Sequence, residues 1–396
     1  MATWKKAILL ALSICVMLTP LPLFAAALSE EYSPPTLSAE AAILIELSGG
    51  DVVLEKNADA RLPMASTTKI MTALTALSLA TPDTTIVTDA AAVGVEGSSI
   101  YLCIGEELTL EQLLYALMLE SANDAAAAIA IGLCGSIETF AAEMNRMAAE
   151  MGLLDTHFVN PHGLDDEEHY TTARELAIIT MRAMEYELFR AIVSTRRATI
   201  PHAREDADRL LVNHNKMLRI FDGCIGVKNG FTKRSGRCLV SAAERDGVEM
   251  VAVTLNAPND WDDHTDMLEY GFSRYHRVNL CEAGAVPYQL PIVGSATTQT
   301  VCISNRDALA VTLPNAVSAV SCVIEAPRFA YAPVQAGEIV GRVVFLCDRN
   351  GDGIRDGFVR FVNDTLPNEW PHRKRRHPPR DPACASRRLA RIAAAR

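Results

Sequence analysis

The sequence predicts an α+β domain, built as an antiparallel sheet with a helical subdomain, followed by a small all-β domain. Three observations carry this expectation. β-like apolar runs stand at both ends of the segment from 41 to 255, the stretch between them has helical spacing, and residues from about 278 to 362 are short β-like runs split by turn chemistry. The chain has 396 residues, 49% hydrophobic and 21% charged, which suits packed domains and excludes a disordered or collagen-like protein.

In chain order, Ala41 to Leu47 is apolar and rich in strand formers, breaks at Gly49-Gly50 and resumes at Val52 to Leu54, a hairpin signature. From Pro63 the spacing turns helical, with Ile70, Leu74 and Leu77 on one side and Ala or Thr in most other places, so this helix is expected to be buried all round. Helical periodicity returns from Leu108 to Leu133, from Ile137 to Met151 and from Thr172 to Phe189. Beyond Gly223 three antiparallel strands are expected, Cys224 to Phe231, Arg237 to Ala243 and Val248 to Leu255, with turns at Thr232 to Gly236 and Arg245-Asp246-Gly247. An amphipathic helix fits Asp262 to Tyr270. In the second domain the strand candidates are Ala308 to Leu313, Ala319 to Glu325 and Val340 to Leu346.

The two ends read differently from the body. Lys5 and Lys6 precede an uncharged, mostly apolar run, Ala7 to Leu18, and then the small residues Ala25, Ala26 and Ala27, the pattern of an export signal over 1–27. That run is shorter than the ~20 residues a spanning helix needs. Export places the protein outside the cytoplasm. The last 27 residues, 370 to 396, hold nine Lys or Arg and one acidic residue, so the overall charge of 37 minus 48, or −11, becomes 28 minus 47, or −19, for the remainder. An acidic body repels phosphate backbones and argues against nucleic acid as a partner. The expected organisation is 1–27 signal, 28–275 main domain, 278–365 β domain and 366–396 a basic flexible tail. Nine cysteines follow Cys15, without zinc spacing, and buried thiols acting as small apolar groups account for them.

Three short motifs carry chemistry. Between Leu62 and Pro82 the single charged side chain is Lys69, in a helix built to be buried. An ammonium stripped of water favours its neutral form, and Ser66, three residues earlier on the same face, can give it a proton. The first-turn position of Ser66 also suits a developing oxyanion. The bland reading is a helix-capping serine with a solvent-seeking lysine. Ser121-Ala122-Asn123 stands between the apolar run Leu113 to Leu119 and the small-residue helix Ala125 to Ile131, presenting a hydroxyl and a carboxamide that can pass a proton and orient an amide; an ordinary helix cap is the alternative. In Lys228-Asn229-Gly230, strand alternation sends Lys228 and Gly230 to one face, where the lysine attracts a carboxylate and the glycine leaves room for a ligand backbone; a solvated strand lysine is the alternative.

The order and spacing of these motifs match the active-site triplet of penicillin-binding proteins and serine β-lactamases. The chain resembles the low-molecular-mass D-alanyl-D-alanine carboxypeptidases in particular, through Met64-Ala65-Ser66-Thr67-Thr68-Lys69, Glu120-Ser121-Ala122-Asn123-Asp124, Asn160-Pro161-His162-Gly163-Leu164, Tyr170-Thr171-Thr172-Ala173, Asn213-His214-Asn215-Lys216 and Gly226-Val227-Lys228-Asn229-Gly230-Phe231-Thr232. The similarity covers about 35 to 275 and makes the main domain catalytic, with a β-lactamase/transpeptidase-like fold. It implies that Ser66 attacks the bond between the two terminal D-alanines of a peptidoglycan stem peptide with Lys69 as base. Ser121 then returns a proton to the leaving D-alanine, and Asn123 holds Lys69 and the substrate amide. The N–H groups of Ser66 and Phe231 form the oxyanion hole, and Lys228, with Asn229 and Gly230, helps bind substrate. β-Lactams are trapped at the same serine; no cofactor and no metal is implied.

Asn229 departs from the family pattern, which has Thr or Ser there. A carboxamide N–H still donates to a carboxylate but is longer and planar, so function is expected to persist with altered affinity. Steady-state constants of Asn229→Thr test this, and unchanged values for substrate and antibiotic alike make the position neutral.

Asp348-Arg349-Asn350-Gly351-Asp352-Gly353 has calcium-loop spacing, but the twelfth place is Val359 instead of a bidentate Glu, so a hairpin turn is expected. His157, His162, His169 and His214 lack metal spacing and read as structural or loop polar groups. A β-lactamase needs a positioned deacylating base, and the middle region shows Asn-Pro-His-Gly instead of an obvious Glu-bearing loop. A D,D-endopeptidase uses the same residues, and a silent wall-binding or drug-sensing module is the reading from another class. The basic tail suggests loose, salt-sensitive membrane association, although Ser386 to Arg396 offers only Leu389 and Ile392 as large apolar groups.

Overall fold

The computed structural model describes residues 33–363 except 203–207, 283, 286–287, 295–298, 304–308, 316, 318–319, 333–338 and 348–355. The export segment, the tail and the Asp348–Gly353 turn lie outside the described residues. Two compact units divide between Ser273 and Arg274.

The first unit runs β1 (Ala41–Glu46), β2 (Asp51–Lys56), α1 (Lys69–Leu79), β3 (Thr85–Val87), β4 (Glu107–Thr109), α2 (Leu110–Tyr115), α3 (Asn123–Cys134), α4 (Ile137–Glu150), α5 (Ala173–Ala183), α6 (Glu187–Ser194), β5 (Arg197–Ile200), β6 (Arg209–Val212), α7 (Met217–Ile220), β7 (Cys224–Thr232), β8 (Gly236–Arg245), β9 (Val248–Leu255) and α8 (Asp260–Arg274). The main sheet is antiparallel in the order β2-β1-β9-β8-β7, so strands from both ends of the segment close on each other, with Ile43 opposite Val253. Every position of β1 is buried, because the sheet is covered on both faces. Ile43, Ile45, Val240, Val251 and Val253 join the helical core, while Leu44 and Met250 lie against α8 at Gly271. This explains continuous apolar strands where a half-exposed sheet shows alternation. As expected, α1 is buried along its first eight residues, Lys69 included.

Two helical expectations need correction. The run from Leu108 to Leu133 is a short strand, α2, a wider π-type turn over Ala116–Glu120, and then α3. The run from Thr172 to Phe189 is α5 and α6, parted at Met184–Tyr186 where Tyr186 N–H turns back to Ala183 O. Neither break contains the Gly or Pro that marks helix ends. The ribbons β3–β4 and β5–β6 were not anticipated; three or four residues are too few to establish a period.

The second unit comprises β10 (Tyr275–Cys281), β11 (Tyr288–Val293), β12 (Gln299–Ile303), β13 (Leu309–Pro314), β14 (Ser321–Glu325), β15 (Ala330–Tyr331), β16 (Ile339–Cys347) and β17 (Asp356–Asn363). It forms a β10–β13 pair and two three-stranded sheets, β12-β11-β15 and β14-β16-β17, over a core that includes Leu290, Leu313, Val343 and Phe345. β16 and β17, which flank 348–355, pair antiparallel. Cys238, Cys281 and Cys347 are buried within apolar clusters, whereas Cys103, Cys134 and Cys224 are half-exposed and Cys322 is exposed, so burial accounts for only some of the described thiols.

Candidate active site

Ser66 sits in a single tight turn, Ala65–Thr68, that leads into α1. The turn departs from a continuous helix because Ala65 is left-handed, φ +48°, a costly conformation for a residue with a Cβ. Threonine side chains hold it, with Thr67 Oγ1 donating to Met64 O at 2.6 Å and Thr68 Oγ1 to Ala65 O at 2.7 Å. Ser66 remains half-exposed on top of this turn while its neighbours are buried.

Lys69 is fully buried, and its Nζ lies 3.0 Å from Ser66 Oγ, 2.7 Å from Asn123 Oδ1 and 2.6 Å from His162 O. Burial, with the charge of Lys228 as a second cause, holds its pKa well below the usual lysine range. The three contacts then fix where its lone pair points. Asn123 Nδ2 donates to Glu96 O at 2.5 Å, so Oδ1 faces the lysine and can only accept. A backbone carbonyl also only accepts. A neutral amine has two hydrogens, which those two acceptors take, and its lone pair is left directed at the Ser66 hydroxyl. That is the geometry of a general base.

The π-type turn delivers the second motif. It ends on Ser121, which is left-handed at φ +60° and half-exposed, after which α3 starts at Asn123 with its N–H bonded to Ser98 O at 2.7 Å. Such turns concentrate at functional sites because they re-aim side chains by one residue. Here the extra residue lets Asn123 point in at Lys69 with Ser121 two positions before it.

The third motif lies on β7, the edge strand of the sheet, and an edge strand is where an extended peptide can add. Gly230 corrects one sequence expectation. A Cβ built on it would stand 2.7 Å from Ser66 N and 3.1 Å from Thr67 N, so the room a glycine leaves is taken by the nucleophile's own turn, not by ligand. The close approach puts the backbones of Ser66 and β7 side by side, with Phe231 next along the strand. Lys228 is buried, donates to Asn229 O at 2.8 Å, and is pushed down to about 7 by desolvation. Asn229 and Gly230 are half-exposed and Phe231 exposed.

The loop after α4, one of the motifs that carry the resemblance but without an assigned role, supplies further parts of the site. Asn160 Oδ1 accepts from Gly163 N at 2.7 Å, Thr72 Oγ1 donates to Pro161 O at 2.6 Å, and His162 gives its carbonyl to Lys69. Gly163, at φ +87°, packs so tightly that a Cβ would stand 2.0 Å from Ala65 O. Asp165 Oδ1 takes the Thr232 hydroxyl at 2.7 Å, tying this loop to the end of β7. The His162 ring, expected as a loop polar group, is buried and pushed down to about 3 by desolvation and Lys69. Composition gives no sign that a backbone carbonyl will be a lysine's partner; the Asn-Pro-His-Gly string was the available signal.

The structure thus brings together Ser66, Lys69, Asn123 and the backbone at Gly230, with Lys228 close enough for its charge to act on Lys69. A half-exposed serine 3.0 Å from a buried lysine, beside the edge strand of an α+β sheet, is the arrangement of an acyl-transferring serine hydrolase. A model of the family described as D-alanyl-D-alanine carboxypeptidase matches residues 29–259. The chain belongs to the D-alanyl-D-alanine carboxypeptidase family. It is 29% identical over 359 residues to D-alanyl-D-alanine carboxypeptidase DacF of Bacillus subtilis, an alignment covering 84% of this chain and 90% of that one. The Streptomyces K15 DD-transpeptidase structure aligns with a TM-score of 0.58 at 32% identity over 61% of this chain and 99% of its own. Penicillin-binding protein 5 of Haemophilus influenzae, at 24% identity, shares the fold over 84% of this chain and 98% of its own with a TM-score of 0.65.

Proposed function

We propose that the protein removes the terminal D-alanine from peptidoglycan stem pentapeptides through an ester on Ser66, and that β-lactams acylate the same oxygen. The observation that carries the reading is the buried Lys69 Nζ lying 3.0 Å from Ser66 Oγ, with two pure acceptors as its other partners.

The stem peptide lies extended along β7, with its terminal carboxylate toward Lys228 and Asn229. Ser66 Oγ attacks the carbonyl of the penultimate D-alanine while its proton passes to Lys69. The oxyanion is taken by the N–H groups of Ser66 and Phe231, donors fixed before reaction and therefore free of reorganisation cost. Ser121 hands a proton to the departing amine, D-alanine leaves, and water hydrolyses the ester to regenerate the hydroxyl. In a β-lactam the broken amide is part of a ring, so the leaving nitrogen stays attached and blocks that water. The test is release of free D-alanine from diacetyl-L-lysyl-D-alanyl-D-alanine. A silent binding module releases none.

Peptidoglycan lies outside the cytoplasmic membrane, and the basic-then-apolar start of the chain supports export to the wall side of that membrane. The nine basic residues of 370–396 support peripheral attachment to an anionic surface, at roughly 1 kcal/mol per residue near the lipid. In fractionated cells the mature chain is expected to start near Leu28, and a chain ending at 369 to leave the membrane pellet. An unprocessed N-terminus removes the first proposal and equal pelleting the second.

A further inference from the structure

The acylation mechanism uses the tight turn at Ala65–Thr68 but does not explain what keeps it in place. Ala65 carries a positive φ and immediately precedes the nucleophile. A buried line of polar groups ends on its carbonyl. Val159 N–H donates to His169 Nδ1 at 3.1 Å, so Nδ1 is an acceptor and the neutral ring carries its hydrogen on Nε2. Nε2 lies 2.8 Å from Thr68 Oγ1, and the Thr68 hydroxyl hydrogen goes to Ala65 O at 2.7 Å. One tautomer satisfies every link. The line spans about a hundred residues of sequence, from the loop before α5 to the start of α1.

We infer that His169 is a positioning residue for acylation, holding the strained Ala65–Ser66 turn through Thr68 in its neutral, Nε2–H form. The inference rests on Ser66 being the acylated residue. A left-handed alanine persists only where its surroundings over-determine it, and here the surroundings are Gly163 pressed on the Ala65 carbonyl from one side and the Thr68 hydroxyl bonding it from another. Asp166 and Asp165 favour charge on the ring and His157 and Lys69 oppose it, the buried His162 ring is close enough for charge on the two imidazoles to repel, and the Phe158 ring meets His169 edge-on at 5.8 Å. Burial outweighs the aspartates and pushes the imidazole down to about 4. A proton on Nδ1 faces the Val159 N–H and opens the line, so His169 sets an acid limit on acylation that is separate from the titration of Lys69.

The test compares full-length wild type with His169→Gln and His169→Phe, following acylation by penicillin G within seconds of a jump to each pH. A glutamine carboxamide offers one acceptor and one donor at nearly the ring's spacing and does not titrate in this range. Its acylation rate is expected within about threefold of wild type at pH 7. The ratio of the two rates cancels the titration of Lys69. It is expected to be flat above pH 5.5 and to rise about tenfold in favour of glutamine by pH 3, one pH unit below a pKa of about 4. His169→Phe keeps the volume, removes both bonds, and is expected to acylate about a hundredfold more slowly at pH 7. A ratio that stays flat from pH 3 to 7 overturns the inference, and so does a folded phenylalanine variant with the wild-type rate. If the phenylalanine variant does not fold, the glutamine ratio decides alone. Wild type that forms no adduct at any pH refutes the functional reading instead.

Discussion

Ser66→Ala is expected to release no D-alanine from the diacetyl tripeptide and to show an unshifted intact mass after penicillin G, where wild type gains the mass of the antibiotic. The loss is expected to be about 10⁴-fold or more, because removal of a nucleophile leaves only the binding and oxyanion contributions. The fold is expected to survive. Among the described residues Ser66 Oγ is hydrogen-bonded to Lys69, and the turn is held by Thr67, Thr68 and Gly163, none of which changes. An unchanged melting temperature with no adduct therefore assigns the loss to chemistry. A full-mass adduct on the alanine variant places the nucleophile elsewhere and removes the mechanism. The same variant also serves as the background control for tripeptide hydrolysis.

The sheet was legible because its physics is short-range. β1 is apolar over Ala41–Ile45 and β9 over Met250–Val253, and Arg245-Asp246-Gly247 marks the β8–β9 hairpin, with Asp246 left-handed as such a turn demands. The nucleophile and its base were legible for a similar reason: Lys69 was conspicuous as a lone charge in a helix with no exposed face. What stayed hidden depends on contacts between distant positions. Leu117, Met118 and Leu119 are good helix formers, and nothing local reveals that they widen into a π-type turn so that Ser121 and Asn123 are re-aimed. The Asn-Pro-His-Gly loop contributes a carbonyl and a close glycine contact across more than ninety residues, so its role has no residue-type signature. Gly230 shows a subtler limit. Its type indicated that something approaches closely, but only the fold shows that the neighbour is the N–H of Ser66.

The second large effect concerns which of two buried lysines is the base. Both are depressed by burial, and Lys228, at about 7, has a value that suits a base working near neutrality. Geometry decides otherwise. Lys69 Nζ touches Ser66 Oγ at 3.0 Å, whereas Lys228 Nζ is bonded to Asn229 O at 2.8 Å on its own strand. A proton acceptor must reach the proton first and be tuned second. Lys69→Met, similar in length but without a lone pair of comparable basicity, is expected to lower the acylation rate by about 10³-fold with little change in affinity. Its stability is expected to shift by no more than about 1–3 kcal/mol, since Asn123 Oδ1 and His162 O lose a donor while the cost of burying an amine disappears. Lys228→Met is expected to show the opposite split, a raised KM for the tripeptide with a smaller fall in kcat, because the interaction lost is one made to the substrate carboxylate before reaction. Measuring kcat and KM separately for both variants settles the assignment: if Lys228→Met carries the larger fall in kcat and Lys69→Met the raised KM, the roles are reversed.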